Sequence, residues 1–170
     1  MADPARQPVT RGGVLPRVLQ SWWAPRQVFR DLSGMPESVK LVVLMAAMLI
    51  FLVAQAPLRA REAQLDPSVP FEARISGALL AVMFVMPLLA YAFASFVSVV
   101  SGLTGRRLAP GDSRLALFWA LLATAPAMLL WGMVAGLVGP GPAQTLTQLL
   151  VGVGFVVIWW SGMSVLARKE

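Results

Sequence analysis

The sequence contains no cysteine and no histidine. The absence of cysteine excludes thiolate nucleophiles, disulfides, iron–sulfur clusters and cysteine-based zinc sites. The absence of histidine excludes imidazole ligation of haem and other metals, and it removes the side chain that most often acts as a general base near neutral pH. We therefore expect no metal site and no cofactor.

Charge is also scarce. Only 13% of the 170 residues are charged, whereas 58% are hydrophobic and the mean hydropathy is +0.73. Soluble domains have about 25% charged and about 45–50% apolar residues. Three long stretches, residues 41–58, 75–105 and 115–167, contain no Asp, Glu, Lys or Arg at all. This composition is typical of a small polytopic membrane protein.

Four apolar runs are long enough to cross a bilayer as helices, which takes about 17–25 residues. The sequence therefore predicts an all-α membrane protein, in which residues 37–170 form a four-helix transmembrane bundle. The predicted spans are residues 39–56, 75–103, 115–138 and 145–166. Pro57 is expected to stop the first span. The second should kink at Pro87, tilt or project, because its 29 residues exceed the hydrocarbon thickness, and the third should kink at Pro126.

The segment before the first span has a different pattern. Residues 1–13 have no apolar run and predict a disordered tail. Residues 14–36 alternate apolar and basic residues at helical spacing, with adjacent tryptophans, and predict short amphipathic helices lying in the membrane interface. The residues expected to contact anionic headgroups are Arg17, Trp22, Trp23, Arg26 and Arg30. The alternative is that these helices pack on the bundle without touching lipid.

The basic residues also predict orientation. With four spans, eleven of the 14 Lys and Arg residues lie on the side that holds both termini, and three lie on the other side. The positive-inside rule then places both termini in the cytoplasm. The net charge of +6 is thus mainly a topology signal, and we expect no nucleic-acid partner.

Small residues repeat every four positions along the second span and recur in the third. Such ridges let transmembrane helices approach closely, either within one bundle or between proteins. We favour internal packing and leave self-association or another membrane protein as the alternative. The residues concerned are Ala90, Ala94, Ser98 and Gly102 in the second span, and Gly132 and Gly136 in the third.

Groups that could carry chemistry are rare. Lys40, at the edge of the first span, is the one ionisable residue within the predicted spans, which argues against ion-coupled transport. Glu62, Asp66 and Glu72 could be imagined as an acid and base, but solvated loop charge explains them better. No phosphate-binding loop, metal-ligand pair or activated nucleophile is recognisable. We expect that the chain is not an enzyme.

Three segments together resemble the bacterial Yip-domain (Ypt-interacting protein) family. They are the basic lead-in SWWAPRQVFRDL, the small-residue helix LLAYAFASFVSVVSGLTGRR and the proline-containing PGDSRLALFWALLATAPAMLL. The resemblance implies an integral membrane protein with cytoplasmic termini, located in the bacterial inner membrane, and it defines no activity. The residues that carry it are Gly105, Ser113, Leu115, Phe118, Trp119, Thr124 and Pro126.

The leading functional hypothesis is a non-catalytic scaffold or adaptor that binds the lipid surface and other membrane proteins. Two alternatives remain open. One is a transporter or pore for a small neutral solute, for which Pro87 and Pro126 would act as hinges. The other is an accessory subunit of a larger membrane complex.

Overall fold

A computed structural model of the chain describes residues 13–103 and 106–169. The predicted disordered tail, apart from Gly13, lies outside the described residues, and so does Gly105. Two short helices, α1 (Val14–Gln20) and α2 (Pro25–Leu32), precede the long helices. The long helices are α3 (Glu37–Leu65), α4 (Phe71–Leu80), α5 (Met86–Leu103), α6 (Pro110–Leu137) and α7 (Pro142–Leu166).

A π-helical turn, Ala81–Val85, joins α4 to α5, so that Phe71–Leu103 is one continuous helix. We call this helix the second span. It and α3, α6 and α7 are the four helices of the described residues that are long and apolar enough to cross a membrane. The predicted all-α membrane bundle is thereby confirmed. A two-residue antiparallel pair, β1 (Arg106–Arg107) and β2 (Arg168–Lys169), closes one end.

Each of the four helices begins before its predicted span, and the first also ends later than predicted. Pro57 does not stop the first helix, because α3 continues to Leu65. A proline removes one backbone donor, a loss that a membrane bundle tolerates, and the residues after it favour a helix, with Arg59 paired to Glu62 at 3.0 Å. The third helix begins at Pro110, before the predicted Leu115, because proline suits the first helical position.

The two prolines at which kinks were predicted do not end their helices. Both Pro87 and Pro126 lie inside helical segments. The irregularity near Pro87 is the π turn just before it, in which the Met86 N–H donates to the Ala81 carbonyl five residues earlier. Proline cannot donate to the carbonyl four residues before it, and a π turn is one way to rearrange the freed backbone groups.

Helix α6 is the centre of the bundle. In an 18-residue apolar stretch of α6, 56% of the residues are buried, against 28% in α3, 17% in α7 and 11% in the second span. Helices α3 and α7 pack along α6, and α5 packs against it as well. Helix α1 also packs on α6, and α2 packs on α7. The central helix is therefore surrounded by both the long and the short helices.

The bundle has two distinct ends. We call the one where α3 and α6 begin, and where the second span and α7 finish, the basic end. The opposite end, with the turns at residues 66–70 and 138–141, is the turn end. Helices α3 and α6 run parallel, since Lys40 reaches Gly111 near the basic end and Arg61 reaches Gly136 near the turn end.

Candidate functional site

The short helices are anchored in the bundle by two tryptophan hydrogen bonds, one partly buried and one buried. The Trp22 Nε1–H donates to the Ala123 carbonyl of α6 at 2.9 Å. The Trp119 Nε1–H of α6 donates to the Ser21 Oγ at 2.9 Å, and that hydroxyl donates to the Arg17 carbonyl at 2.8 Å. A carbonyl in the middle of a helix can accept this bond because its oxygen has two lone pairs, of which the helical hydrogen bond uses one.

Two glycines of α7 make room for the short helices. A Cβ on Gly154 would overlap the Trp22 ring, and one on Gly162 would overlap the Phe29 ring. Gly154 and Gly162 are eight residues apart, which is about 12 Å along a helix. The chain from Trp22 to Phe29 therefore runs along α7 toward the basic end, with Val28, Phe29 and Leu32 buried.

Of the five residues expected at the lipid surface, three are exposed and two are half-buried. Trp22 departs from that expectation, because its ring packs between α6 and α7, where the Ala123 carbonyl accepts a hydrogen bond from its Nε1–H. Arg17 is half-buried, whereas Arg26 and Arg30 are exposed and Trp23 is 72% exposed. Arg26 and Arg30 line a shallow cavity of about 350 Å³ with Ser164 and Val165, in the last turn of α7. One face of this segment therefore packs on the bundle, as the alternative interpretation expects, and the other face is exposed.

The small residues of the second span lie mostly inward. Ala94 is buried, and its carbonyl accepts a hydrogen bond from the Ser113 Oγ at 2.7 Å. The Ser98 Oγ donates to the Leu108 carbonyl at 2.8 Å. Ala90 lines a cavity described below, whereas a Cβ on Gly102 would meet open space. Three of the four residues therefore contribute to the interior of this chain.

The two predicted glycines of α6 lie at its contact with α3. A Cβ on Gly132 would overlap the Ala54 backbone, and one on Gly136 would overlap Pro57. Neither neighbour can move without displacing the α3 backbone. Both glycines thus set the distance between the two helices.

Lys40 is held inside the basic end, where its position at the edge of a span suggested snorkelling to the headgroups. It is 6% exposed, and its Nζ donates to the Glu37 Oε1 and to the Gly111 carbonyl, each at 2.9 Å. Glu37 also pairs with Arg114 at 3.4 Å. These bonds tie the start of α3 to the start of α6.

An apolar cavity of about 620 Å³ lies between α3, the second span, α6 and α7. Its walls include Met48 and Phe51 of α3, Val82 in the π turn, Leu121 of α6 and Phe155 of α7. Leu117 and Leu121 of α6 face it, and Trp119, two residues from each, faces the short helices. Two residues are about 200° around a helix, so the cavity and the short helices occupy opposite sides of α6.

The polar groups of this cavity lie in its turn-end half. The Arg59 guanidinium donates to the Glu62 Oε2 at 3.0 Å and to the Gln55 Oε1 at 3.3 Å. Its Nε and the Trp131 Nε1 are buried and have no hydrogen-bond partner among the residues that the structure describes. An unpaired buried donor costs about 1–3 kcal/mol. The sequence pattern did not predict that Arg59 and Trp131 belong to one site, because they line the same cavity only when α3 and α6 pack side by side.

Two acidic residues near the turn end, Glu62 and Asp66, are held in ion pairs. The Asp66 carboxylate accepts from the Ser68 hydroxyl and from the Ser68 N–H, and it also pairs with Arg74 at 3.1 Å. The Ser68 hydrogen bonds, followed by Arg74, lower the pKa of Asp66 below its ordinary 3.8. Within residues 13–103 and 106–169, no group of three or more acidic residues could hold a metal ion.

Comparison with protein-family models, with curated proteins and with solved structures gave no match for this chain. The resemblance to Yip-domain proteins therefore stays a prediction, and the functional argument rests on the geometry. What that geometry establishes is an integral membrane protein built around α6.

Proposed function

We propose that this integral membrane protein is a non-catalytic scaffold or adaptor of Yip-like type. In this proposal it resides in the bacterial inner membrane with both termini in the cytoplasm. Its basic end binds anionic lipid headgroups, and its exposed helix faces bind another membrane protein or a second copy of the chain.

The observation that carries the proposal is the convergence of basic residues at one end. The pairing of β1 with β2 places Arg106 opposite Lys169 and Arg107 opposite Arg168. The pair follows directly on α7, whose last turn shares the shallow cavity with Arg26 and Arg30. Three segments far apart in the sequence thus bring six basic residues to the basic end.

Such a grouping fits the surface of an anionic leaflet. Each Lys or Arg near that surface contributes about 1 kcal/mol of attraction, which salt weakens. The same segment carries exposed apolar residues at four-residue spacing, Leu15, Leu19 and Trp23, as well as the exposed Arg26 and Arg30. Apolar and basic residues side by side suit the boundary between headgroups and acyl chains.

Binding of a defined anionic lipid tests this proposal. Full-length protein is titrated with phosphatidylglycerol, with phosphatidylcholine as the reference lipid, at low and high salt. The R26Q/R30Q double variant should lose roughly tenfold or more in the preference for phosphatidylglycerol, because two contributions of about 1 kcal/mol are removed. Equal loss in a control with two turn-end arginines replaced, R61Q/R74Q, or a preference that ignores salt, would contradict it.

Purification in native membranes, followed by mass spectrometry of co-migrating proteins, tests the adaptor part. A stoichiometric membrane-protein partner, lost on replacing exposed apolar residues such as Leu15 and Trp23, is the expected result. A monomer that co-purifies with no protein would count against it.

The accessory-subunit alternative predicts instead that the chain always migrates with one large complex. Transport of a neutral solute has no specific support, because the main cavity is apolar apart from Gln55, Arg59 and the Trp131 N–H at one end.

A further inference from the structure

We propose that the apolar cavity between α3, the second span, α6 and α7 binds one acyl chain of a bilayer phospholipid. The ester or phosphate oxygens of that lipid accept hydrogen bonds from the Arg59 Nε and the Trp131 Nε1. This site lies on the opposite side of α6 from the short helices, so it is independent of the headgroup binding proposed for the basic end.

The two unpartnered donors point to the ligand. Both the Arg59 Nε and the Trp131 Nε1 are buried in residues that line the same cavity. Water does not reach a buried N–H, so each donor needs an acceptor from the protein or from a bound molecule. The rest of the guanidinium is already engaged by Glu62 and Gln55, which fixes the arginine in place and leaves the Nε–H for a ligand.

The remaining walls fit a hydrocarbon chain. They consist of methionine, leucine and aromatic side chains such as Met48, Leu121 and Phe155. The volume of about 620 Å³ lies within the range of about 300–1,000 Å³ found for ligand pockets. Met86, Leu89 and Phe93 of the second span line the cavity and are also exposed, so a lipid chain can enter sideways from the bilayer.

The course of the second span explains why the cavity exists. Toward the basic end, α5 is held to α6 by the Ser113–Ala94 hydrogen bond and by Tyr91 against Phe118, with ring centroids 4.9 Å apart. Toward the turn end, α4 packs on α3 instead. The π turn, which lies between these two contacts, contributes Val82 to the cavity wall. π turns of this kind recur at functional sites.

The test measures phospholipid bound to the full-length protein. Delipidated protein is titrated with palmitoyl-oleoyl-phosphatidylglycerol, and native mass spectrometry counts the lipids that survive gentle activation. We expect one retained phospholipid per chain. A parallel titration with palmitate distinguishes the source, and retention of palmitate in place of phospholipid would overturn the phospholipid assignment.

Three variants locate the bound lipid. Met86→Trp fills the cavity without removing a polar group, and Leu88→Trp places the same side chain on the lipid-facing side of the same helix. Trp131→Phe keeps the ring but removes its N–H donor. We expect M86W to reduce retention about tenfold and W131F several-fold, with L88W unchanged.

A second set of measurements keeps the result interpretable. Thermal unfolding of each variant shows whether the bundle is intact, and R26Q/R30Q should retain the cavity lipid while losing headgroup preference. No retained lipid in the wild type, or equal retention in M86W and L88W with both folded, would overturn the proposal.

Discussion

Helix α6 and the second span are both apolar and long enough to cross a membrane, yet they occupy opposite extremes of burial. In their apolar stretches, 56% of α6 is buried and 11% of the second span. Of the four spanning helices, α6 is the least hydropathic and the most buried. Lipid chains are as apolar as leucine, so hydrophobicity does not select which helix is central. The central helix is selected by close approach of the helix backbones and by hydrogen bonds between helices.

Small and polar residues fix where α6 contacts its neighbours. Gly132 brings the α3 backbone into contact, Ser113 donates to α5, and Trp119 donates to Ser21. The second span shows large side chains such as Phe84, Leu88 and Phe96 on its exposed face. The comparison therefore predicts that substitutions in α6 have large effects, and that the same substitutions in the second span have small ones.

The largest effect is expected from Gly132→Leu. Its side chain would overlap the Ala54 backbone, which cannot yield as a flexible side chain would. We expect a loss of about 3 kcal/mol in the free energy of unfolding, measured by equilibrium unfolding in mixed micelles. The matched control is Gly102→Leu, where a side chain meets open space and the change should stay within about 0.5 kcal/mol. Equal losses in both variants would break the comparison.

Trp119→Phe is the next in size. It keeps an aromatic ring but leaves the buried Ser21 hydroxyl without its donor, which should cost about 1–2 kcal/mol in the same assay. Trp160→Phe, at an exposed tryptophan of α7, serves as the control and should leave stability nearly unchanged. If the Trp160 variant were the more destabilised, the anchoring of the short helices would be wrong.

Ser113→Ala should have a smaller effect. It removes the hydrogen bond to the Ala94 carbonyl, and such bonds between membrane helices average about 0.6 kcal/mol. Ser95→Ala removes a hydroxyl that bonds to its own helix on the exposed side of α5, so no loss is expected. A stability assay that ranks Ser95 above Ser113 would show that α5 packs on α6 through a different face.

The smallest effect concerns the turn outside the bundle. Because the pKa of Asp66 is lower in the folded protein than its ordinary 3.8, the carboxylate stabilises the fold above that pH. The stabilisation should disappear as the pH falls below 3.8 and through the folded pKa. Asp66→Asn should therefore be slightly less stable than the wild type at pH 6, and the difference should vanish in strong acid. A difference that grows in acid would contradict this sign.

The sequence pattern was sufficient for the number of spans, because charge is absent from their interiors. It singled out Gly132 and Gly136 as helix-packing residues, and the structure places both at the contact between α6 and α3. It missed Gly154 and Gly162, since their partners, Trp22 and Phe29, lie more than a hundred residues away. It also placed Trp22 at the surface, because an amphipathic pattern does not show which side of a helix faces protein and which faces lipid.

The central claim is that α6 is shielded from lipid while the second span faces it. Photolabelling of the wild-type protein in bilayers by a carbene-generating phospholipid tests this directly, with the labelled residues mapped by mass spectrometry. We expect residues 84–89 and 96–100 to be labelled about tenfold more than residues 118–120 and 122–125, whose side chains are buried. Equal labelling of the two sets, or heavier labelling of α6, would contradict it.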